Sequence, residues 1–290
     1  MHKTEILAEI KRILLHIRFP IQAYTLLGFS FALLILEINL NLKVLLAFIS
    51  WFLLCSGIAV FNSYYDKDKG PVAGLKNPPK VHFSMFIGSM LMKIIGLFIS
   101  VFVNNIFTTL YLVAFILSIL YSHKFFRFKS NGYIAIIFNF IAGSFTFLAV
   151  ASLSDKMLSS TTIIASVASG LFLASVYIMM QIHQVNEDKS RGDISFTVRY
   201  GKSKAITLSI ILLLIAVIFS LYLLFSILPI FMSLTIVTYF LIGLFFLIKW
   251  KSINTNSLTN YNIMSKVTNY FGYLGNLIFL IFYFLLIATK

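Results

Sequence analysis

Nine stretches of this 290-residue chain are apolar and long enough to cross a lipid hydrocarbon core, and no other feature limits its fold as tightly. They fall near residues 21–38, 44–61, 84–103, 106–121, 132–151, 161–181, 205–225, 228–248 and 270–288. Each approaches the roughly 20 residues that a spanning helix needs. Lipid offers backbone amides no partner, so only helices and closed barrels cross it. These runs lack the alternation of a barrel strand, which leaves an all-α, polytopic membrane helix bundle of about nine transmembrane helices. Composition agrees, because 60% hydrophobic and 11% charged residues supply too little polar surface to cover a soluble domain of this length. The single cysteine, Cys55, lies inside the second run. It excludes an intramolecular disulfide and reads as a small packing residue.

Residues 1–20 stand apart from residues 21–290, which read as one transmembrane domain. Ile6, Leu7, Ile10, Ile13, Leu14 and Ile17 recur at helical spacing, with Lys3, Lys11, Arg12 and Arg18 among them. The pattern predicts an amphipathic helix lying in the membrane interface and stopped near Pro20. Basic residues run through the segment and no continuous apolar core precedes a small-residue cleavage site, so it does not read as a signal peptide.

A formal charge of +14 raises the question of nucleic acid, but the placement of the charge answers it. With nine spans, 19 of the 23 Lys and Arg residues fall on one side of the membrane. Lys43, Lys156 and Lys290 fall on the other, and Lys93 lies within the third span. This asymmetry puts the basic side in the cytoplasm, with anionic lipid and an anionic substrate as the expected partners and no nucleic acid. The expected location is a prokaryotic cell membrane. The oligomeric state is left open.

Acid is scarce and concentrated. Five of nine Asp and Glu residues sit in two loops on that same side: Asp66 and Asp68 after the second span, and Glu187, Asp188 and Asp193 after the sixth. The loops share a frame in which an amide residue (Asn62, Gln184) is followed by Asp four positions on (Asp66, Asp188) and Gly four beyond that (Gly70, Gly192). Where the helix continues, residues four apart face the same way. Hard oxygen donors from two helix ends suit Mg²⁺, which keeps several waters and bridges carboxylates to substrate phosphates. Asn62, Asp66, Asp68, Gln184, Glu187 and Asp188 are the candidate metal ligands. Neither loop has the His and Cys spacing of a zinc site.

The first loop resembles the Asn-Asp-x-x-Asp-x-x-x-Asp motif of the UbiA superfamily of intramembrane prenyltransferases. The second is similar to that family's other Asp-rich motif, whose trailing Gly, Ser and Gly are met by Gly192, Ser195 and Gly201. Between spans four and five, Tyr121-Ser122 followed by Arg127 and Lys129 is similar to the family's Tyr-Ser loop. The sequence departs from the family at Ser63 and Gly70, where the first motif has Asp, and at Gln184 in the second. Asp68 and Glu187 are the nearest substitutes.

The resemblance implies a UbiA-like bundle and prenyl transfer. A polyprenyl diphosphate bound through Mg²⁺ ionises at its allylic C–O bond, and a lipophilic or aromatic acceptor captures the cation. It implies catalytic roles for Asp66, Asp68, Asp188 and Tyr121, and diphosphate contacts from Asn62, Arg127, Lys129, Gln184, Lys189 and Arg191. An allylic cation needs π faces and shielding from water, for which Tyr64, Tyr65 and Phe140 are candidates beside Tyr121. His183 is a candidate proton acceptor and Gln181 a candidate cavity residue. The turn-rich segment 70–79 is a candidate lid, and Lys93 is a candidate intramembrane functional group. Two rival readings are a transporter for an anionic, phosphorylated lipid and a non-catalytic binding protein. Transporters usually keep their charged sites near the midplane, whereas this chain keeps its own at one face.

Overall fold

The computed structural model describes residues 3–254 and 256–289; Lys290, counted above on the sparse side of the charge split, lies outside them. Among the described residues nine helices are long and apolar enough to cross a membrane, and each expected run overlaps one of them, extending up to three residues beyond the helix at 21–38, 84–103 and 228–248. The chain begins with α1 (Lys3–Ile17) and α2 (Phe19–Leu36). The first acidic loop follows α3 (Leu42–Asp66), and α4 (Phe83–Ser100), α5 (Asn105–Ser122), α6 (Gly132–Ala151) and α7 (Ser160–Gln181) come next. A short α8 (Val185–Arg191) precedes α9 (Phe196–Ile227) and α10 (Ile230–Ser252). The last span joins α11 (Ser257–Asn269) to α12 (Gly275–Ala288) through a wide π-helical turn at Tyr270–Leu274. The most extensive packing is α3 on α4, α6 on α7, and α7 on α9.

Local chemistry sets the helix starts. Asn41, Asn104, Asn131, Ser159, Ser195 and Asn256 each sit in extended backbone and accept a hydrogen bond from an amide in the first turn of the following helix. These caps satisfy donors that helix geometry leaves open. Pro20 does not stop α1. The break comes at Arg18, whose left-handed backbone (φ 56°, ψ 59°) turns the chain, and Pro20 occupies the first turn of α2. Proline's fixed φ suits a helix start, where its missing amide hydrogen is not needed.

Helix α1 splits its apolar residues between two environments. Ile17 is buried with Val60 and Met85, and Ile13 packs on them, while Ile6, Leu7, Ile10 and Leu14 remain exposed. Its polar side is fastened to α4, where Ser84 donates to the Glu9 carboxylate. Segment 70–79 is a tight turn rather than an open strap. Val72 and Leu75 exchange backbone hydrogen bonds of 3.0 and 2.8 Å, Val72 and Ala73 are buried, and the Pro79 carbonyl meets His16 Nε2 at 3.1 Å.

Candidate functional site

Helix α3 continues unbroken through both Asn62 and Asp66, so the four-residue spacing puts the two side chains on one face, where both line a central cavity. Lys67 then takes a left-handed conformation (φ 53°), and its amide hydrogen bonds to the Ser63 carbonyl at 3.0 Å. Asp68 is thereby folded back, with a side chain 6% exposed. The second loop is built differently from the first. Span α7 ends at Gln181 and the chain turns before α8, which places Gln184 at the helix cap and Asp188 inside a separate short helix. Gly192 ends α8 at φ 77°, a backbone that non-glycine residues adopt only at a cost. The Asp193 amide then donates to the Asp188 carbonyl at 2.9 Å. Ser195 caps α9 and also donates to Asp188 Oδ2 at 2.8 Å. Gly201 (φ 78°) puts a kink in α9 just beyond.

The loop between α5 and α6 closes the group. Ile194 donates its amide to the Ser130 carbonyl at 2.8 Å, and the Gly132 amide donates to Ile194 at 3.0 Å, which joins this loop to the second acidic loop by backbone alone. Arg127 grips Asp193 with two hydrogen bonds of 2.9 and 2.8 Å and reaches Asp66 Oδ1 at 3.3 Å. Lys129 donates to both Asn62 and Asp66. Arg191 ties the two acidic loops together, donating to Asp68, to Asp188 at 2.7 Å and to Asp193 at 3.2 Å. Glu187 reaches across to the first loop, where one of its carboxylate oxygens accepts the Gly70 amide hydrogen. Its second oxygen, Oε2, is buried without a hydrogen-bond partner, 3.6 Å from Arg191 Nη1.

Burial raises the Asp68 carboxyl to about 7, helped by the neighbouring charges of Asp66 and Glu187 and opposed by Arg191. Asp188 rises to about 6, again through burial, with Ser195 and Arg191 opposing. Burial lowers Lys129 despite its contact with Asp66. Burial also works against the charge on Arg127 and Arg191, but their carboxylate partners outweigh it and raise both. The result is a dry cluster of acids held by three basic side chains, each with more than one partner.

Below this cluster the cavity, about 250 Å³, runs down between α2, α3, α5, α6 and α7. Tyr121, Gln181 and Gln184 line it. Other expectations are corrected. Lys189 is exposed on the outer side of α8 and lines no part of the cavity. Tyr64 and Tyr65 pack instead against Phe86 and His123, with ring centroids 5.6 and 5.0 Å apart. Phe140 packs at the α6–α7 contact beside Gly170. His183 is buried edge-on against Tyr261 at 5.2 Å, away from the cavity. Lys93 is fully buried behind the wall, where it donates to Ser118 at 3.0 Å and lies 3.9 Å from the centre of the Phe61 ring.

Several lining residues carried no expectation. Trp51, Phe138, Phe145 and Tyr177 supply the aromatic faces, and Asn139 donates to the Tyr121 hydroxyl at 3.4 Å. Arg18 enters from the α1–α2 break, donates to the Ala59 carbonyl at 3.3 Å and leaves its Nε buried without a partner. Its only signal in the sequence is a cation placed directly before Phe19-Pro20 at the start of a span.

The donor chemistry suits a hard divalent cation: oxygens of Asn62, Asp66 and Asp188 line the cavity, Asp68 and Glu187 lie in the same two acidic loops, and one Glu187 oxygen is buried without a partner. In the arrangement described, Arg191 and Lys129 sit among these oxygens, and no three acidic, His or Cys groups among the described residues stand close enough together to hold a metal.

The chain matches the model of the UbiA prenyltransferase family over residues 23–267. A structure of a UbiA homologue from Archaeoglobus fulgidus bound to GPP and Mg²⁺ superposes with a TM-score of 0.68 at 22% identity, covering 91% of this chain and 99% of that one. The same homologue bound to DMAPP and Mg²⁺ gives 0.67 at 22% identity, covering 91% and 98%. A digeranylgeranylglyceryl phosphate synthase gives 0.63 at 22% identity, covering 95% and 98%. No curated protein matches. The family match spans most of the chain and the fold is UbiA-like, so this integral, multi-pass membrane protein belongs to the UbiA prenyltransferase family.

Proposed function

We propose that this chain transfers a prenyl group from a polyprenyl diphosphate to a lipophilic or aromatic acceptor, with Mg²⁺ as cofactor, at the cytoplasmic face of a prokaryotic membrane. One observation carries the reading: both acidic loops and three basic side chains meet at the mouth of an apolar, aromatic-lined cavity. That is the layout a substrate with a diphosphate head and a hydrocarbon tail requires. Bound Mg²⁺ would supply charge neutralisation of the diphosphate, held by Asn62, Asp66, Asp68, Gln184, Glu187 and Asp188.

The chain's own groups do the rest. Arg127, Lys129 and Arg191 exchange carboxylate partners for diphosphate oxygens and stabilise the charge that develops as the allylic C–O bond breaks, its electron pair leaving with diphosphate. Arg18, hydrogen-bonded to α3 at the Ala59 carbonyl, offers a fourth cation. Tyr121, held by Asn139, and Tyr177 turn aromatic faces toward the carbon left electron-poor. The apolar wall keeps water from capturing it before the acceptor does. Helix α1, with Ile6, Leu7, Ile10 and Leu14 facing outward, lies in the interface beside this mouth.

The test is turnover in Asp66→Ala and Asp188→Ala. Each is expected to lose about 100-fold or more, the scale on which electrostatic transition-state contacts act, while the protein stays inserted and folded. Activity at the wild-type level in either variant overturns the assignment.

A further inference from the structure

At its deep end the cavity is lined by two helices whose side chains meet. On α3 its lining residues run from Asp66 down to Trp51, and on α6 they run down to Thr146. These two deepest residues are joined to each other. Trp51 Nε1 donates to Thr146 Oγ1 at 3.1 Å, and Thr146 donates in turn to the Ala142 carbonyl at 2.9 Å. The indole is 2% exposed and stands edge-on to Phe107 and Tyr111, with ring centroids 5.8 and 6.2 Å away. Both of those rings are fully buried, so the indole is backed on that side by packed protein. At a rise of 1.5 Å per residue, the wall of α3 from Asp66 to Trp51 is about 22 Å long.

We propose that the Trp51–Thr146 pair is a floor that sets the longest prenyl donor this chain accepts. The inference rests on the prenyltransferase reading and deepens it: the substrate class becomes donors up to about geranylgeranyl diphosphate, with much longer polyprenyl diphosphates excluded. The physical reason is that each isoprene unit gains burial in the chamber only until the tail reaches the indole. A longer tail must break the Trp51–Thr146 hydrogen bond and displace a ring wedged against two others, and interiors packed this closely resist extra volume. Thr146 acts as a positioning residue, since its hydroxyl accepts the indole N–H and holds the ring in place.

The experiment is Mg²⁺-dependent binding of geranyl, geranylgeranyl and solanesyl diphosphate to purified full-length protein, for the wild type and two variants that move the floor in opposite directions. Wild type is expected to bind geranylgeranyl diphosphate at least about tenfold more tightly than solanesyl diphosphate. Trp51→Ala removes the floor and is expected to bring solanesyl diphosphate binding within about twofold of geranylgeranyl diphosphate binding. Ala142→Phe places a ring one turn above Thr146 and is expected to weaken geranylgeranyl diphosphate about tenfold while sparing geranyl diphosphate. Thr146→Val keeps shape and loses only the hydrogen bond, so its cutoff is expected to soften rather than vanish. Equal binding of solanesyl and geranylgeranyl diphosphate by wild type overturns the floor, as does an unchanged ranking in Ala142→Phe; either result means that the tail leaves the chamber sideways. Binding of no donor at all overturns the floor together with the reading of the site, whereas donor binding with an unmoved ranking overturns the floor alone.

Discussion

Glu187 shows how a motif can lose a carboxylate in sequence and keep one in space. Gly70 stands where the UbiA motif has Asp, yet the Glu187 carboxylate reaches across from the other loop to the Gly70 amide, and a Cβ on Gly70 would lie 2.7 Å from Glu187 Oε1. Glu187→Gln is therefore expected to raise the Mg²⁺ concentration needed for half-maximal donor binding about tenfold, and adding Gly70→Asp to recover most of the loss. Gly70→Asp alone crowds two carboxylates together and is expected to bring no gain. An unchanged Mg²⁺ titration in Glu187→Gln would show that this carboxylate is not the substitute. The same acids make metal binding pH-dependent. With Asp68 near 7 and Asp188 near 6 in the metal-free protein, both raised by burial, each must lose its proton to ligate. Mg²⁺ affinity is expected to climb with pH, level off above about 7, and fall below pH 6 by about tenfold per unit for each carboxylate that has to deprotonate. Calorimetry in buffers of different ionisation enthalpy reads that proton release directly, and an affinity flat from pH 5.5 to 8 contradicts it. At this scale the sequence gives residue types and spacing but not rotation about a helix axis. That is why Asp66 and Tyr121 were legible, while Tyr64, Tyr65 and Lys189 turn away from the cavity.

Elements were legible where hydrophobic periodicity speaks. The apolar run of α3 leads without interruption into Asn62 and Asp66, so the first half of the site followed from helix continuation. Helix α8 (VNEDKSR) has no apolar face to announce it, and it forms because its Gly192 C-cap and its charge pairs hold it against neighbouring loops. The turn at 70–79 reads as loose because it is rich in Gly and Pro, yet burial of Val72 and Ala73 fixes it over α2. On α8, Arg191 binds the loop after α3 through Asp68, beside the Glu187 contact with the Gly70 amide. Arg191→Gln is expected to lower amide-exchange protection across 185–193 by about tenfold or more, since a hydrogen bond to a charged partner contributes about 1.5–3 kcal/mol. Exchange at the wild-type rate would mean that backbone pairing through Ile194 holds the loop without it.

For the whole molecule, nine spans and their charge asymmetry came directly from the sequence, because lipid permits so few backbone solutions. The asymmetry makes a topological prediction. In a Cys55→Ser background, a membrane-impermeant thiol reagent outside intact cells is expected to label a cysteine placed at Asn105 or Asp155 but not one placed at Lys76 or Ser130. Labelling at Lys76 from outside would invert the orientation and put the acidic loops on the far face. The central claim is that the two acidic loops open an allylic C–O bond and pass the prenyl group on. It is tested most directly by following a geranylgeranyl diphosphate labelled separately in its prenyl carbon and its phosphate, incubated with the purified protein, Mg²⁺ and a lipid extract of the native membrane. The account predicts that the two labels part in equal amounts, carbon into a new lipid and phosphate into free diphosphate, and that Asp66→Ala stops both. Recovery of the donor intact, with both labels still together after it has bound, would contradict the account and leave a binding or transport protein in its place.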